Sequence, residues 1–264
     1  MEKIRGDQII LNGQPASPAE YTPDPSEGIL YEVIRQIDGH LLFAEDHLDR
    51  LQSSCSGSGM SCPDKQMLYH NLEQLQDVLP IRNGNIKLVV FRRLGDPHIA
   101  CFFIPHFYPS EEDYQKGVHT KSYAYERPDP NIKRWNEDFR HNVRKFIRDE
   151  YVYEAILMNQ EGKLTEGSRS NLFFINDNLQ VITAPQNMIL PGVTRKHVLN
   201  ICRNQRFNVI EKVLDLEEAG QMVSCFISGT SPKVLPVRKL DEIRFSPDNE
   251  VTRTIIASFD RLIG

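Results

Sequence analysis

The run spanning residues 162–195, GKLTEGSRSNLFFINDNLQVITAPQNMILPGVTR, constrains the fold of this 264-residue chain more than any other stretch. Lys163-Leu164-Thr165-Glu166 ends a short strand, and Gly167-Ser168 gives the backbone a permissive corner. Residues 170–175 form a mostly apolar strand, Asn176-Asp177-Asn178 a hairpin turn, and 179–183 the partner strand. Leu190-Pro191-Gly192-Val193-Thr194-Arg195 then leads into apolar positions at Val198, Leu199 and Cys202, the pattern of a helix start. The first N–H groups of a helix have no partners within it and lie at its positive end, so Val193 and Thr194 are candidates for holding a phosphate. Glu166, an isolated carboxylate just upstream, suits a protonated ring nitrogen. The pieces taken singly would equally describe a surface helix after a hairpin; their ordered combination points to a bound cofactor.

E-G-S-x-S-N followed by L-P-G-V-T-R resembles the class IV aminotransferases, the fold-type IV enzymes that use pyridoxal 5'-phosphate (PLP). That family includes branched-chain and D-amino acid aminotransferases and 4-amino-4-deoxychorismate lyase. The resemblance implies an α/β (α+β) chain of two domains with the cofactor in the cleft between them. It also implies a homodimer that works on small-molecule amino acids and 2-oxo acids.

Bulk properties agree. The apolar share of 40% and the net charge of -5 suit an ordinary globular protein, and no basic, aromatic-interleaved patch suggests nucleic acid. No apolar run approaches membrane-spanning length, and the N-terminal MEKIRGDQII lacks a signal-peptide core. Cys55, Cys62, Cys101, Cys202 and Cys225 are odd in number and have no C-x-x-C spacing. They point to reduced thiols in a cytoplasm, not to disulfides or a metal site.

Toward the N-terminus, residues 5–11 form a first strand and 30–35, LYEVIR, a second, with a turn at Asp38-Gly39. Residues 44–53 are helical. Y-E-V-I-R followed by H-L-D-R-L resembles the family again, and implies that Arg50 binds the cofactor phosphate, as a guanidinium fork can. A helix over 65–78 and two nearly continuous apolar strands over 86–93 and 99–107 follow, then a polar stretch over 109–117 and a strand over 118–125. Arg127-Pro128-Asp129-Pro130 can continue neither a ladder nor a helix, which places a boundary between an N-terminal small α/β domain, 1–126, and a C-terminal cofactor-binding domain, 127–264.

Lys133 follows that linker and precedes a helical stretch over 136–150. A PLP enzyme needs one lysine to carry the cofactor and shuttle the substrate's α-proton, and the resemblance assigns Lys133 as this Schiff-base lysine. Lys121 on a strand, Lys145 on a polar helix face and Lys233 are its competitors. Relatives carry a tyrosine a turn or two later, where this chain has Phe139, Arg140 and His141. The motif S-G-T-S-P-K-V-L-P-V resembles a further family signature whose threonine, here Thr230, adds a hydroxyl to the phosphate site, and the resemblance implies that Leu190 packs on the cofactor ring. Residues 207–213 and 222–227 are strands, 215–219 a short helix and 251–262 an amphipathic one.

Substrate signals are weaker. Arg35, Arg92 or Arg93, and Lys233 are cations that could build a carboxylate pocket, with Tyr31 offering a hydroxyl. The R-x-H pair of D-amino acid aminotransferases is absent, since the loop reads R-R-L-G-D-P-H with His98 alone. The reading is a ping-pong aminotransferase for D-amino acids or branched-chain L-amino acids. Its alternatives are the lyase reaction and a non-catalytic PLP-binding protein.

Overall fold

The computed structural model describes residues 3–264, which pack into two compact units. One holds the residues up to Phe107 together with Ile132–Glu137; the other holds Tyr108–Asn131 and Asp138–Gly264. Lys133 thus belongs to the first unit.

In the first unit β1 (Ile9–Leu11), β2 (Gln14–Ala16), β3 (Ile29–Ile37), β4 (His40–Leu41), β5 (Gly84–Arg93) and β6 (Asp96–Ile104) form an antiparallel sheet in the order β2-β1-β6-β5-β3-β4. Helices α1 (Ala44–Ser58) and α2 (Lys65–Val78) cover one face, where Leu48, Leu51, Leu68 and Leu72 meet Ile34, Ile86, Leu88 and Val90. Side chains alternate along a strand, so the neighbours of these residues line the other face: Tyr31, Val89 and Phe91, with Tyr21 and Phe102. Burying both faces explains why β5 and β6 are apolar almost throughout.

The second unit contains α3 (Glu111–Lys116), β7 (Val118–Ala124), α4 (Glu137–Asp149), β8 (Glu154–Met158), β9 (Leu164–Gly167), β10 (Asn171–Ile175) and β11 (Val181–Thr183). After these come α5 (Val193–Asn204), β12 (Val209–Glu211), α6 (Leu216–Ala219), β13 (Ser224–Gly229), β14 (Lys233–Leu240), β15 (Ile243–Arg244) and α7 (Glu250–Ile263). The strand order is β12-β11-β10-β13-β14-β7-β8-β9, and β9 also pairs with β10. The sheet therefore closes on itself around Ile156, Leu164, Leu172, Phe174, Ile227 and Leu235. Phe173 and Phe226, paired across β10 and β13, alternate to the other face, where their buried rings stack at 4.7 Å. No described helix is long and apolar enough to cross a membrane.

Of the elements that differ from the sequence expectation, three show the local physical reason. The polar stretch before β7 holds α3, started by a reciprocal cap between Ser110 and Asp113. The segment EAILM forms β8, which the expectation passed over. The stretch from Lys233 is a strand, although Pro236 lacks a donor; pairing of β14 with β7 begins one residue later, at Val237, so the ladder on that side does not need it.

Candidate active site

In the first unit, Glu32 lies on β3 beneath α1 with no exposed surface. His47 and Arg50 are three residues apart on α1 and so share a face, and Ser54 extends the row by one turn. Arg50 donates to Glu32 through Nε at 2.7 Å and Nη2 at 2.6 Å, and His47 Nδ1 lies 2.8 Å from the same carboxylate. Burial alone would raise the Glu32 pKa; the charges of Arg50 and Lys133 and the hydrogen bonds from Arg50 and His47 outweigh it and hold the carboxyl well below its usual range. His47 is pushed down, chiefly by burial, against the pull of Glu32.

Segment 132–135 runs beside the start of β3. Tyr31 N donates to Lys133 O at 3.3 Å, Trp135 N donates to Ile29 O at 2.8 Å, and Lys133 N donates to Ser54 Oγ at 3.1 Å. Lys133 Nζ lies 5.1 Å from the Tyr31 ring centroid. Three of the residues singled out from sequence, Arg50, Lys133 and Tyr31, are thus set around one strand end. Lys87 was not singled out. It is 1% exposed, with Nζ 4.5 Å from the Tyr31 centroid and 3.8 Å from that of Trp135. A lysine inside the apolar run I-K-L-V-V-F was the available signal for it.

The second unit explains the E-G-S-x-S-N motif residue by residue. Glu166 is buried and faces Asn171 across β9 and β10; its Oε1 accepts from Arg127 Nε at 2.7 Å and its Oε2 from Leu190 N at 3.2 Å. Ser168 and Ser170 donate to the buried Glu154 at 2.6 and 3.0 Å. Asn171 donates to Leu190 O at 2.9 Å, joining the motif to L-P-G-V-T-R. Arg127 sat unnoticed in the proline linker, and Glu32 and His47 inside a motif read only for its arginine.

Gly192 is the N-cap of α5, so no side chain caps the first turn, where Val193 and Thr194 are buried. A Cβ on Gly192 would come within 1.9 Å of Asn171 Oδ1, so only glycine lets the helix start sit against that asparagine. Ser228 pairs with Asn171 across β10 and β13 and therefore shares its face. Its hydroxyl is fully buried and has no hydrogen-bond partner among the described residues. Thr230 is half-buried in the turn after β13. An uncapped helix start, a close glycine approach and an orphaned buried hydroxyl together fit an anionic group such as a cofactor phosphate.

The remaining cations do not converge within the units. Arg35 lies opposite Asn85 at one end of the β3–β5 pair and Arg92 beyond the other end, about 20 Å along the strand. Arg92 is on the helix-covered face, donating to Gly59 O at 3.1 Å, while Tyr31 and Arg35 point to the opposite one. Lys233 is paired with Asp260 on α7, 5.3 Å from the Tyr114 ring. Where relatives carry a tyrosine, Phe139 is buried, stacked on Tyr125 and 5.5 Å from the Arg127 guanidinium, and Arg140 donates to Ser168 O.

Residues 29–240 match the family model for amino-transferase class IV. A putative branched-chain-amino-acid aminotransferase of Methanocaldococcus jannaschii is 28% identical over 80% of this chain and 78% of its own. A D-alanine aminotransferase of Bacillus licheniformis is 28% identical with the same coverage. The structure of the branched-chain amino acid aminotransferase from Thermobaculum terrenum in its PLP form superposes with a TM-score of 0.83 at 20% identity, over 99% of this chain and 95% of that one, and so shares the fold. The chain belongs to the class IV aminotransferases, fold-type IV enzymes whose cofactor is PLP.

Proposed function

We propose that this aminotransferase moves an amino group between a D-amino acid or a branched-chain L-amino acid and a 2-oxo acid by a ping-pong route, as a homodimer in the cytoplasm. The observation that carries the reading is the buried Glu166 carboxylate, held by Arg127 and by the backbone of Leu190 two residues before the N-cap of α5. A fixed buried carboxylate is what a protonated pyridine nitrogen needs, and bound PLP supplies the electron sink for chemistry at an α-carbon.

In this reading, Lys133 would hold the cofactor covalently and move the proton at the substrate's α-carbon through Nζ. Arg50, Val193, Thr194 and Thr230 would hold the phosphate, with the Ser228 hydroxyl as a further donor, and Leu190 would border the ring. Glu32 and His47 would orient Arg50. Tyr31 and Arg35, which share a face of β3, would receive the substrate's carboxylate. Arg92 and Lys233, engaged with Gly59 and Asp260, would stand outside that group.

The test is the visible spectrum of the PLP-loaded protein during separate additions of D- and L-amino acids. Loss of the imine band with D-alanine or with branched L-amino acids supports the reading and chooses between its two substrate classes. No loss with either, or pyruvate released from aminodeoxychorismate without transamination, overturns it.

A further inference from the structure

At the other end of β14 from Thr230, five basic residues surround a concave pocket of 440 Å³. Lys116, His119, Arg238, Lys239 and Arg244 line it with Phe245 and Pro247, and no carboxylate does. About 17 Å of strand separates Arg238 from Lys233, so the pocket is distinct from the Thr230 turn.

The pocket is built at a cost. Lys239 lies directly opposite Arg244 on β15 and opposite His119 on β7, so two cations and an imidazole form a row across adjacent strands. Like charges in register destabilise a sheet. The β7–β14 register slips between Val237 and Lys239, and such a bulge re-aims the intervening side chain, here Arg238. Gly117 has a φ of 72°, and a Cβ there would lie 3.0 Å from Arg238 N, so glycine also permits the approach of α3, which carries Lys116.

Glu112 and Glu242 engage Lys116 at 2.8 Å and Lys239 at 3.1 Å from outside the lining. The Arg238 and Arg244 guanidinium groups have no hydrogen bond or ion pair among the described residues. Burial first, then the fields of Arg238, Lys239 and Arg244, lower the His119 pKa. All this stands on a chain whose net charge is -5.

We propose that this pocket is a second ligand site, independent of the aminotransferase reaction, for a small anion carrying two or more phosphate groups. Its volume is that of a small-molecule site, roughly 300–1,000 Å³, and its concavity suits a compact ligand better than a membrane surface. The two guanidinium groups supply forked donors for phosphate oxygens, and the lysines supply point charges.

The test is calorimetric titration of the PLP-loaded enzyme, whose cofactor phosphate site is already filled, with inorganic pyrophosphate. One saturable site per chain is expected, weakened by added salt. It is expected to weaken at least tenfold in Arg238→Gln/Arg244→Gln and to stay unchanged in Arg203→Gln/Arg261→Gln, which removes the same charge from exposed positions elsewhere. Pyrophosphate should also raise the His119 imidazole pKa by NMR, against the standing charges of Lys116, Arg238, Lys239, Arg244, Glu112 and Glu242. Thermal melting checks that the variants fold. Any of four results overturns the proposal: no saturable binding, equal weakening in both double variants, a changed oligomeric state in Arg238→Gln/Arg244→Gln, or binding to anionic phospholipid vesicles but not to pyrophosphate.

Discussion

Replacing Glu32 with glutamine removes one charge from a cluster that has almost no access to water. Glu32 is fully buried and Arg50 is 9% exposed, so solvent screens their interaction little. Glutamine keeps the shape and one acceptor but leaves the Arg50 guanidinium without its counter-charge, and it exchanges an acceptor for a donor beside Arg50 and His47. Breaking a buried pair from one side costs about 3–5 kcal/mol. At roughly 2–4 °C per kcal/mol for a protein of this size class, the lower bound corresponds to a fall of about 6–12 °C in melting temperature.

Trp135, the chain's single tryptophan, packs against Tyr31 and Lys87 in the same unit, so its fluorescence reports the relevant transition. The pH dependence adds an independent check. Glu32 titrates lower in the folded chain than at its ordinary 4.5, so its contribution is complete above that pH and is lost as pH falls through the folded value. The gap between wild type and Glu32→Gln should therefore be largest at neutral pH and shrink in acid. Glu32→Met/Arg50→Met should cost less than Glu32→Met alone, because it removes the stranded charge. A Glu32→Gln variant melting within about 2 °C of wild type would refute the reasoning.

Three further outcomes follow from the second unit. Gly192→Ala places a Cβ 1.9 Å from Asn171 Oδ1, and should cost about 1–3 kcal/mol in denaturant unfolding while weakening PLP binding in a fluorescence titration. Unchanged PLP affinity would remove the α5 start from the phosphate site. Glu166→Gln keeps the volume but not the charge, and should retain PLP while kcat falls by about 10²–10³-fold; a kcat within a few-fold of wild type would contradict the assigned role. Ser168→Ala takes one donor from the buried Glu154 carboxylate and should destabilise by about 1–3 kcal/mol with little change in KM, as read by urea unfolding and steady-state kinetics.

Local pattern carried much of the fold. Helix α2 begins and ends where its apolar spacing and Asp64 cap place it, and β3, β5, β10 and α7 fall within a few residues of expectation. What was not legible depends on register and parity. Arg35 and Arg92 look equivalent as cations near apolar strands, yet antiparallel pairing sends them to opposite ends and opposite faces of one sheet. Glu32 as the partner of Arg50 needed the packing of α1 on β3, although a glutamate inside Y-E-V-I-R already announced a buried carboxylate in need of a cation. Arg127 is hidden by its prolines, which read as linker alone, and β14 by Pro236, tolerated only because of where pairing with β7 starts.

The central claim is that Lys133 carries the cofactor, and borohydride reduction of the PLP-loaded protein followed by peptide mapping tests it most directly. The account predicts a pyridoxyl group on Lys133, and loss of both the label and the imine absorbance in Lys133→Ala. A pyridoxyl group on Lys87, Lys121, Lys145 or Lys233 would contradict it.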